Sequence, residues 1–239
     1  TPGGASVYYL TFGGGIRQTG HVFLIVGPVP FALLPEFIGI IQTCVFDKGN
    51  LPPLMLNDVQ RQAIRDAELL MVDGNEMDAA IEAAKIAREN GTKVLYDCGG
   101  LYEGVEKLLS LTDIMIPSEE FALCHTGCTT AEKAAKKLYE DYGPQVVVIT
   151  QGKRGGIMYD GENTVSYPIY PAVVVDSNGS GDVFHGAFAA AVVKGFDNIK
   201  CCHFSSAVSG IKCTGVGARE STPDFETTMN YMKENGYEL

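Results

Sequence analysis

The chain has 239 residues, 46% of them hydrophobic, so it is too long for a disulfide-stapled miniprotein and too apolar for a disordered tail. Its formal net charge of -11 offers no basic surface for nucleic acid or for an anionic membrane. Seven cysteines scattered through apolar segments are typical of a reducing compartment, which favours the cytoplasm. We therefore expect one compact α/β domain that holds any bound anion locally.

The N-terminal segment differs from the rest of the chain. It is rich in Gly and Pro and shows no alternation of strands and helices, so we expect an atypical or truncated region over residues 1–55 and a regular domain over residues 56–239. Residues 22–41 have nearly the length of a membrane span, but Pro28 and Pro30 interrupt them, which favours a buried strand followed by a turn and a short helix. No basic segment precedes an apolar run, so no secretion signal is predicted.

From about residue 56, buried-strand runs alternate with helical patterns, which is typical of βαβ units with a mostly parallel sheet. Asn75 is predicted to cap the helix after the first of these strands. Thr129 and Glu132 form a predicted capping box for the helix that precedes the strand at residues 146–150. The predicted strands are residues 69–73, 93–97, 113–117 and 146–150.

After residue 150 the pattern changes. A hairpin is predicted from residues 156–159 and 164–167, because the Asp160-Gly161 pair between these runs is a turn signal. Residues 172–175 are predicted to form one more strand, since they are rich in β-branched side chains. Three helices are predicted to complete the chain, at residues 182–195, 200–214 and 223–235.

A glycine-bearing loop between residues 176 and 182 is the most informative segment. It follows a β-branched run and enters a helix rich in Ala and Phe. There the backbone N–H groups of Gly179, Ser180, Gly181 and Asp182 can converge, and the helix dipole adds about half a positive charge. Glycine permits the unusual φ angles and the close approach of a phosphate. The carboxylate of Asp182 could cap the helix, accept a proton from a substrate hydroxyl, or do both.

Residues 176–182, DSNGSGD, resemble the D-T-x-G-A-G-D signature of the PfkB (ribokinase-like) family of carbohydrate kinases, with Ser177 and Ser180 as departures. Further segments fall in the family's order over roughly residues 56–239. They are residues 113–122 (the strand into its N-x-x-E region), 148–156 (its T-x-G-x-x-G loop), 205–212 (its helix beside the adenine) and 217–223 (its closing G-A-x-x-x-x-P). The resemblance implies a three-layer α/β/α domain with a mostly parallel central sheet and an N-terminal lid that is reduced or missing.

The resemblance also implies an activity, which is ATP-dependent phosphorylation of a hydroxyl group on a small sugar. Asp182 would be the catalytic base, and Gly179, Ser180 and Gly181 would form the anion hole. Mg²⁺ would arrive with ATP, with Glu119 near its waters. The implied nucleotide-binding residues are Thr150, Gly152, Gly155, Ser205 and Ser118, and the residues implied to hold a monovalent cation such as K⁺ are Asp176, Asn178, Gly217 and Ser221.

The sequence departs from the family pattern in two places, and these keep alternatives open. In the N-x-x-E region Ser118 stands at the Asn position and Phe121 at the Glu position. The family begins with a strand that carries a substrate-binding Asp, followed by a Gly-Gly-Asn segment and a lid. Here residues 2–6 match only a remnant of the Gly-Gly segment, and no complete lid can be identified between residues 7 and 54. The alternatives are a nucleoside kinase of the same family and a catalytically inactive relative that binds nucleotide or sugar. Family members often dimerise through the lid, so a homodimer is also an expectation.

Overall fold

The computed structural model of the chain describes residues 6–10, 16–25 and 52–237. Eight strands in this part form one sheet and lie side by side in chain order. They are β1 Ser6–Leu10, β2 Ile16–Ile25, β3 Leu69–Val72, β4 Lys93–Cys98, β5 Ile114–Pro117, β6 Val146–Thr150, β7 Gly156–Tyr159 and β8 Thr164–Tyr167. Strands β2 to β6 run parallel, whereas β7 and β8 continue the sheet as an antiparallel hairpin. The predicted mostly parallel sheet and the hairpin are confirmed.

Helices cover both faces of the sheet. The first five pack on one face and the last three on the other, and each face has its own buried apolar cluster. The helices of the described residues are α1 Asp58–Arg65, α2 Met77–Glu89, α3 Val105–Leu109, α4 Glu119–Thr126, α5 Ala131–Tyr142, α6 Ser180–Val193, α7 Asn198–Lys212 and α8 Phe225–Glu234. The predicted three-layer α/β/α architecture is therefore confirmed.

The apolar runs of the central strands follow from this layering. On β3, Leu69 and Met71 belong to the cluster under α6 to α8, whereas Leu70 and Val72 belong to the cluster under α1 to α5. Successive side chains of a strand point to opposite faces, so a strand covered on both faces is apolar at every position. All four residues are buried, and burial on this scale typically contributes about 1.5–3 kcal/mol for each large side chain.

The strand predicted at residues 172–175 is wrong. Val173, Val174 and Val175 are 84%, 63% and 59% exposed and belong to no strand. β8 ends the hairpin at Tyr167, and no further strand pairs with this segment among the described residues. Instead, the N–H of Val175 donates to the carbonyl oxygen of Cys213 at the end of α7. β-branched composition alone does not make a strand when no neighbouring strand supplies the hydrogen bonds.

Two predicted helix caps are displaced by one residue. The cap of α2 is Glu76 rather than Asn75, because the backbone and side-chain N–H groups of Asn75 donate to the carboxylate of Asp73. The cap of α5 is Thr130 rather than Thr129, and its hydroxyl accepts from the N–H of Lys133.

Several expectations about the N-terminal segment lie outside the described residues. These are the Gly-Gly remnant at residues 2–5, the turn and short helix after residue 25, and most of the segment in which no lid was identified. β2 covers the start of the strand predicted from residue 22. Among the described residues, none of the helices is long and apolar enough to span a membrane.

Candidate active site

The carboxyl ends of the parallel strands bring polar residues to one edge of the sheet. Asp97 lies near the end of β4, Ser118 follows β5, and Thr150 ends β6, where it forms a bridge with Ser118. The first turns of α6 reach the same edge, because the ring of His185 contacts the carbonyl oxygen of Ile116 on β5. In open parallel sheets this edge is where ligands bind.

The N-terminus of α6 is shaped by glycine. Gly179 caps the helix at φ +73°, and a Cβ atom there would lie 2.9 Å from the carbonyl oxygen of Ala218, so glycine is required. The N–H of Ser180 donates to the carbonyl oxygen of Ser177. The N–H groups of Gly179, Gly181 and Asp182 have no acceptor among residues 52–237. Three of the four predicted donors therefore remain available to a bound anion.

Asp182 lies in the first turn of α6 and is exposed. Its carboxylate makes no cap hydrogen bond and no other hydrogen bond within the described part of the chain. It is close enough to Asp97 to contribute to the raised pKa of that carboxyl group, whose main cause is burial. Asp182 is therefore an uncommitted acceptor beside uncommitted donors, which is what a general base next to an anion hole requires.

His185 is buried one turn further along α6 and was interpreted from the sequence as a packing or capping residue. Its Nδ1 lies 2.7 Å from the carbonyl oxygen of Gly181, and its Nε2 lies 3.0 Å from that of Ile116 and 3.4 Å from Oδ1 of Asp97. Both ring nitrogens thus lie within hydrogen-bonding distance of oxygen atoms. The ring links the backbone at Gly181 to β5 and to the carboxylate of Asp97.

Sequence reasoning did not single out Asp97. A signal for it was present, because an acidic residue that ends a buried parallel strand lies at the ligand-binding edge of the sheet. What could not be foreseen was its pairing with His185, since the two residues belong to distant segments. The same reasoning applies to Asp73, which directly follows β3 and contributes to the raised pKa of Asp97.

The loop between β6 and β7 is a tight turn shaped by two glycines and closed by its own backbone hydrogen bonds. Gly152 opens a 3₁₀ turn at φ +56°, and Gly155 lies at φ +81°. A Cβ atom on Gly155 would clash with the carbonyl oxygen of Tyr167. The N–H of Gln151 donates to the carbonyl oxygen of Gly155 and closes the loop. The glycines predicted to contact nucleotide thus occupy positions that other residues could adopt only with strain.

The side chains implied to organise magnesium are engaged with protein groups. The carboxylate of Glu119 accepts from the side-chain amide of Gln151 at 2.7 Å and forms an ion pair with Arg154. The hydroxyl of Ser118 accepts from the N–H of Phe121 and caps α4. Phe121 itself is buried. In the part of the chain that the structure describes, no three His, Cys, Asp or Glu side chains form a metal-binding group.

Ser205, which the resemblance implied at the adenine slot, is fully buried within α7. Its hydroxyl donates to the carbonyl oxygen of Cys201 at 2.7 Å. The structure therefore does not bring this side chain to the surface of the cleft.

Three of the four residues implied to hold a monovalent cation are brought together. The two carboxylate oxygens of Asp176 accept from the N–H groups of Asn178 and Gly217, at 2.9 and 2.8 Å, and these bonds lower its pKa. The carbonyl oxygens of Asp176 and Asn178 accept from the buried ammonium group of Lys212. Ser221, the fourth, lies beside Gly215. The role of Lys212 was not predicted from the sequence.

Comparison with known proteins shows which family this chain is similar to. Residues 47–224 match the pfkB family of carbohydrate kinases. A bifunctional ribokinase/ribose-5-phosphate isomerase A of Fructilactobacillus sanfranciscensis is 31% identical over 74% of this chain and 34% of its own length. The ribokinase of Arabidopsis thaliana is 29% identical over 76% of this chain and 50% of its own length. The chain thus spans half the length of these relatives or less.

Solved structures agree with the sequence relatives. The structure of Arabidopsis thaliana ribokinase complexed with ribose and ATP superimposes with a TM-score of 0.69 at 29% identity, and the match covers 76% of this chain and 61% of that one. A ribokinase from Thermotoga maritima gives a TM-score of 0.66 at 26% identity, with 74% of this chain and 60% of that one covered. The fold, the motif order and the family match all point the same way, and the chain belongs to the PfkB family of carbohydrate kinases.

Proposed function

We propose that this protein transfers the γ-phosphoryl group of ATP to a hydroxyl group of a small sugar. The observation that carries the proposal is the start of α6, where the exposed carboxylate of Asp182 has no hydrogen-bond partner among the described residues. The N–H groups of Gly181 and Asp182 beside it also lack acceptors there. A migrating phosphoryl group needs donors for its oxygens and an acceptor for the incoming hydroxyl proton. This arrangement supplies both.

In the proposed reaction the sugar oxygen forms a bond to the γ-phosphorus while the bond from that phosphorus to the bridging oxygen of ADP breaks. The hydroxyl proton passes to the carboxylate of Asp182. The backbone N–H groups at the start of α6 and the dipole of that helix stabilise the charge on the transferring oxygens. His185 holds the carbonyl oxygen of Gly181 in place, so the donors are oriented before the substrate arrives.

The nucleotide is proposed to lie between the β6–β7 loop and the segments around Asp176. Thr150, Gly152 and Gly155 provide the polar side of this region. Exposed apolar side chains at residues 173–175 and at Val216 flank Asp176, and apolar surface of this kind suits a nucleobase. The Arabidopsis relative was solved with ribose and ATP, which supports ATP as the phosphoryl donor here.

Magnesium is proposed to enter as a complex with ATP, held mainly by phosphate oxygens and waters, as is usual for this ion. The described residues offer Glu119 as the candidate carboxylate, but its oxygens are engaged by Gln151 and Arg154. No step of the proposed mechanism therefore passes through the metal. When bound, the ion would neutralise phosphate charge.

Residues 56–239 are proposed to be the nucleotide-binding and catalytic unit, and residues 1–55 to contribute to the acceptor side. The experiment that tests the proposed function is a screen of phosphoryl acceptors, with ADP release and a ³¹P spectrum of the product as readouts. Pentoses, hexoses and nucleosides are offered in turn with MgATP. The proposal predicts that at least one sugar is phosphorylated and that nucleosides are not; ADP release without any sugar phosphate would contradict it.

One observation favours a second function, which is nucleotide binding without turnover. Phe121 stands where the family pattern has a glutamate; it is buried, and its ring centroid lies 5.4 Å from that of His125. The nearby carboxylate of Glu119 is held in an ion pair with Arg154. If ATP protects the protein against thermal unfolding but no acceptor is phosphorylated, this second function is favoured over the first.

A further inference from the structure

Lys212 lies in the last turn of α7 with its side chain fully buried, although lysine is almost never fully buried unless paired. Its ammonium group donates hydrogen bonds to two backbone carbonyl oxygens, that of Asp176 at 2.9 Å and that of Asn178. Both carbonyls belong to the loop that leads into α6. The ammonium group therefore ties the end of α7 to the loop that precedes Asp182.

The surroundings of this ammonium group are negative. Backbone hydrogen bonds are the main cause of the lowered pKa values of Asp176 and Glu220; Lys212 contributes next at Asp176, and after Arg219 at Glu220. A buried charge is tolerated when protein dipoles and opposite charges replace the water it has lost. The carbonyl oxygens and the two carboxylates together supply that replacement, so the site is built to hold one positive charge.

These carbonyl oxygens are among the groups expected to bind potassium in a protein of this family. Proteins bind K⁺ by letting carbonyl oxygens replace its water shell. Here the carbonyl oxygens of Asp176 and Asn178 already accept from Lys212. Both carboxylate oxygens of Asp176 also accept from backbone N–H groups. The residues present therefore do not fit a potassium ion at this position.

We propose that the ammonium group of Lys212 takes the place of the monovalent cation beside the anion hole, so that this protein works without potassium. The inference rests on the proposed function, because the order of this loop matters for catalysis only if the loop holds the phosphoryl group. Lys212 is a positioning residue, since it acts through the loop. A covalently attached cation is always present, whereas the occupancy of a free ion depends on its concentration.

Other contacts at the end of α7 support this role. The hydroxyl of Ser209 donates to the carbonyl oxygen of Ser180 at 3.0 Å, and the carbonyl oxygen of Cys213 accepts from the N–H of Val175 at 2.8 Å. The helix end thus holds the loop on both sides of the two carbonyls that Lys212 binds. Removing the ammonium group should leave the loop attached at these points but with two carbonyl oxygens unpaired.

Thermal unfolding tests the inference without any need for turnover. The unmodified protein should unfold at the same temperature in potassium chloride and in N-methyl-D-glucamine chloride of equal ionic strength. Lys212→Ala should unfold at a lower temperature in N-methyl-D-glucamine and regain part of the loss in potassium chloride, because K⁺ can then bind the two carbonyls. Lys200→Ala, a change at the partly exposed start of the same helix, should show no such ion dependence.

Kinase assays give the second readout. In N-methyl-D-glucamine the kcat of Lys212→Ala should fall about tenfold or more, because two unpaired carbonyl oxygens leave the loop that precedes Asp182 without its anchor. Potassium or ammonium ions should restore it, whereas a merely structural lysine would show no such rescue. The KM for the sugar should change little.

The outcomes separate the two claims. If the unmodified protein is stabilised or activated by potassium relative to N-methyl-D-glucamine, the inference is overturned, and this comparison needs no variant. If Lys212→Ala does not fold, Lys212→Met, which keeps most of the aliphatic stem, takes its place. If no acceptor is phosphorylated in any salt, the proposed function fails, and the unfolding temperatures still decide whether Lys212 replaces the ion.

Discussion

Removal of the imidazole ring of His185 should destabilise the protein through its contacts with Asp97 and with two backbone carbonyl oxygens. The variant His185→Leu keeps a side chain of similar size but removes both ring nitrogens. The carbonyl oxygens of Gly181 and Ile116 lose their partner, and the carboxylate of Asp97 loses the ring nitrogen that lies 3.4 Å away. The side chains of His185 and Asp97 are only 7% and 17% exposed, so water cannot fully replace the lost contacts.

Leaving a buried polar group without its hydrogen-bond partner typically costs about 1–3 kcal/mol. We expect a total of about 3 kcal/mol for His185→Leu. Three groups lose a contact, but the raised pKa of Asp97 allows that carboxylate to take up a proton in the variant. The double variant His185→Leu/Asp97→Asn should lose less than the sum of the two single variants. A coupling of about 1–3 kcal/mol is expected for residues in direct contact.

Urea unfolding followed by circular dichroism at neutral pH gives the free energy of unfolding of the unmodified protein, of the single variants His185→Leu and Asp97→Asn, and of the double variant. His125→Leu is the matched control, because His125 is half-buried and pairs with the hydroxyl of Tyr142 rather than with a carboxylate. It should cost about 1 kcal/mol, as for a typical neutral hydrogen bond. If the losses of the two single variants sum to the loss of the double variant within about 0.5 kcal/mol, the contact between His185 and Asp97 does not contribute as described.

Two further predictions concern the loops on either side of the cleft. Asp176→Asn should reduce the free energy of unfolding above about pH 4, and this effect should disappear as the pH falls. A carboxyl group whose pKa is lowered in the folded state stabilises that state only while it is ionised. A difference between the two proteins that persists unchanged at low pH would argue against the two N–H bonds of Asp176. Gly155→Ala should lower the free energy of unfolding by about 1–3 kcal/mol, because the φ of Gly155 is +81°. The control Gly186→Ala, in the open interior of α6, should raise it by about 0.5–1 kcal/mol. Equal effects of the two substitutions in chemical denaturation would refute the strain at Gly155.

The sequence was sufficient to predict the parts of the fold that depend on local pattern. β3 to β6 are apolar at nearly every position because helices cover both faces, and such runs are readable without any knowledge of partners. The β7–β8 hairpin was readable for a similar reason, since an Asp-Gly turn lies between its strands. The segment at residues 172–175 has the same composition but no neighbouring strand, and pairing is not encoded in composition.

The site was predictable in outline and not in its supporting contacts. The proposed anion hole and Asp182 belong to a contiguous motif, so the helix start was predicted from sequence to within two residues. The bond between Lys212 and the carbonyl oxygen of Asp176 joins residues 36 positions apart, and nothing in either local sequence indicates it. The engagement of Glu119 by Arg154 across the two loops is likewise a tertiary contact. Long-range contacts of this kind determine which groups of the motif remain available to a ligand.

The role of Asp182 as the base is the central claim, and the turnover of Asp182→Asn with an accepted sugar tests it most directly. Asparagine keeps the size of the side chain and its ability to stabilise a helix start but cannot take up the hydroxyl proton. Asp224→Asn, at the N-terminal cap of α8, is the matched control and should turn over normally. We predict that Asp182→Asn lowers kcat at least about 10²-fold while ATP affinity stays within a few-fold. Unchanged turnover in Asp182→Asn would contradict the account.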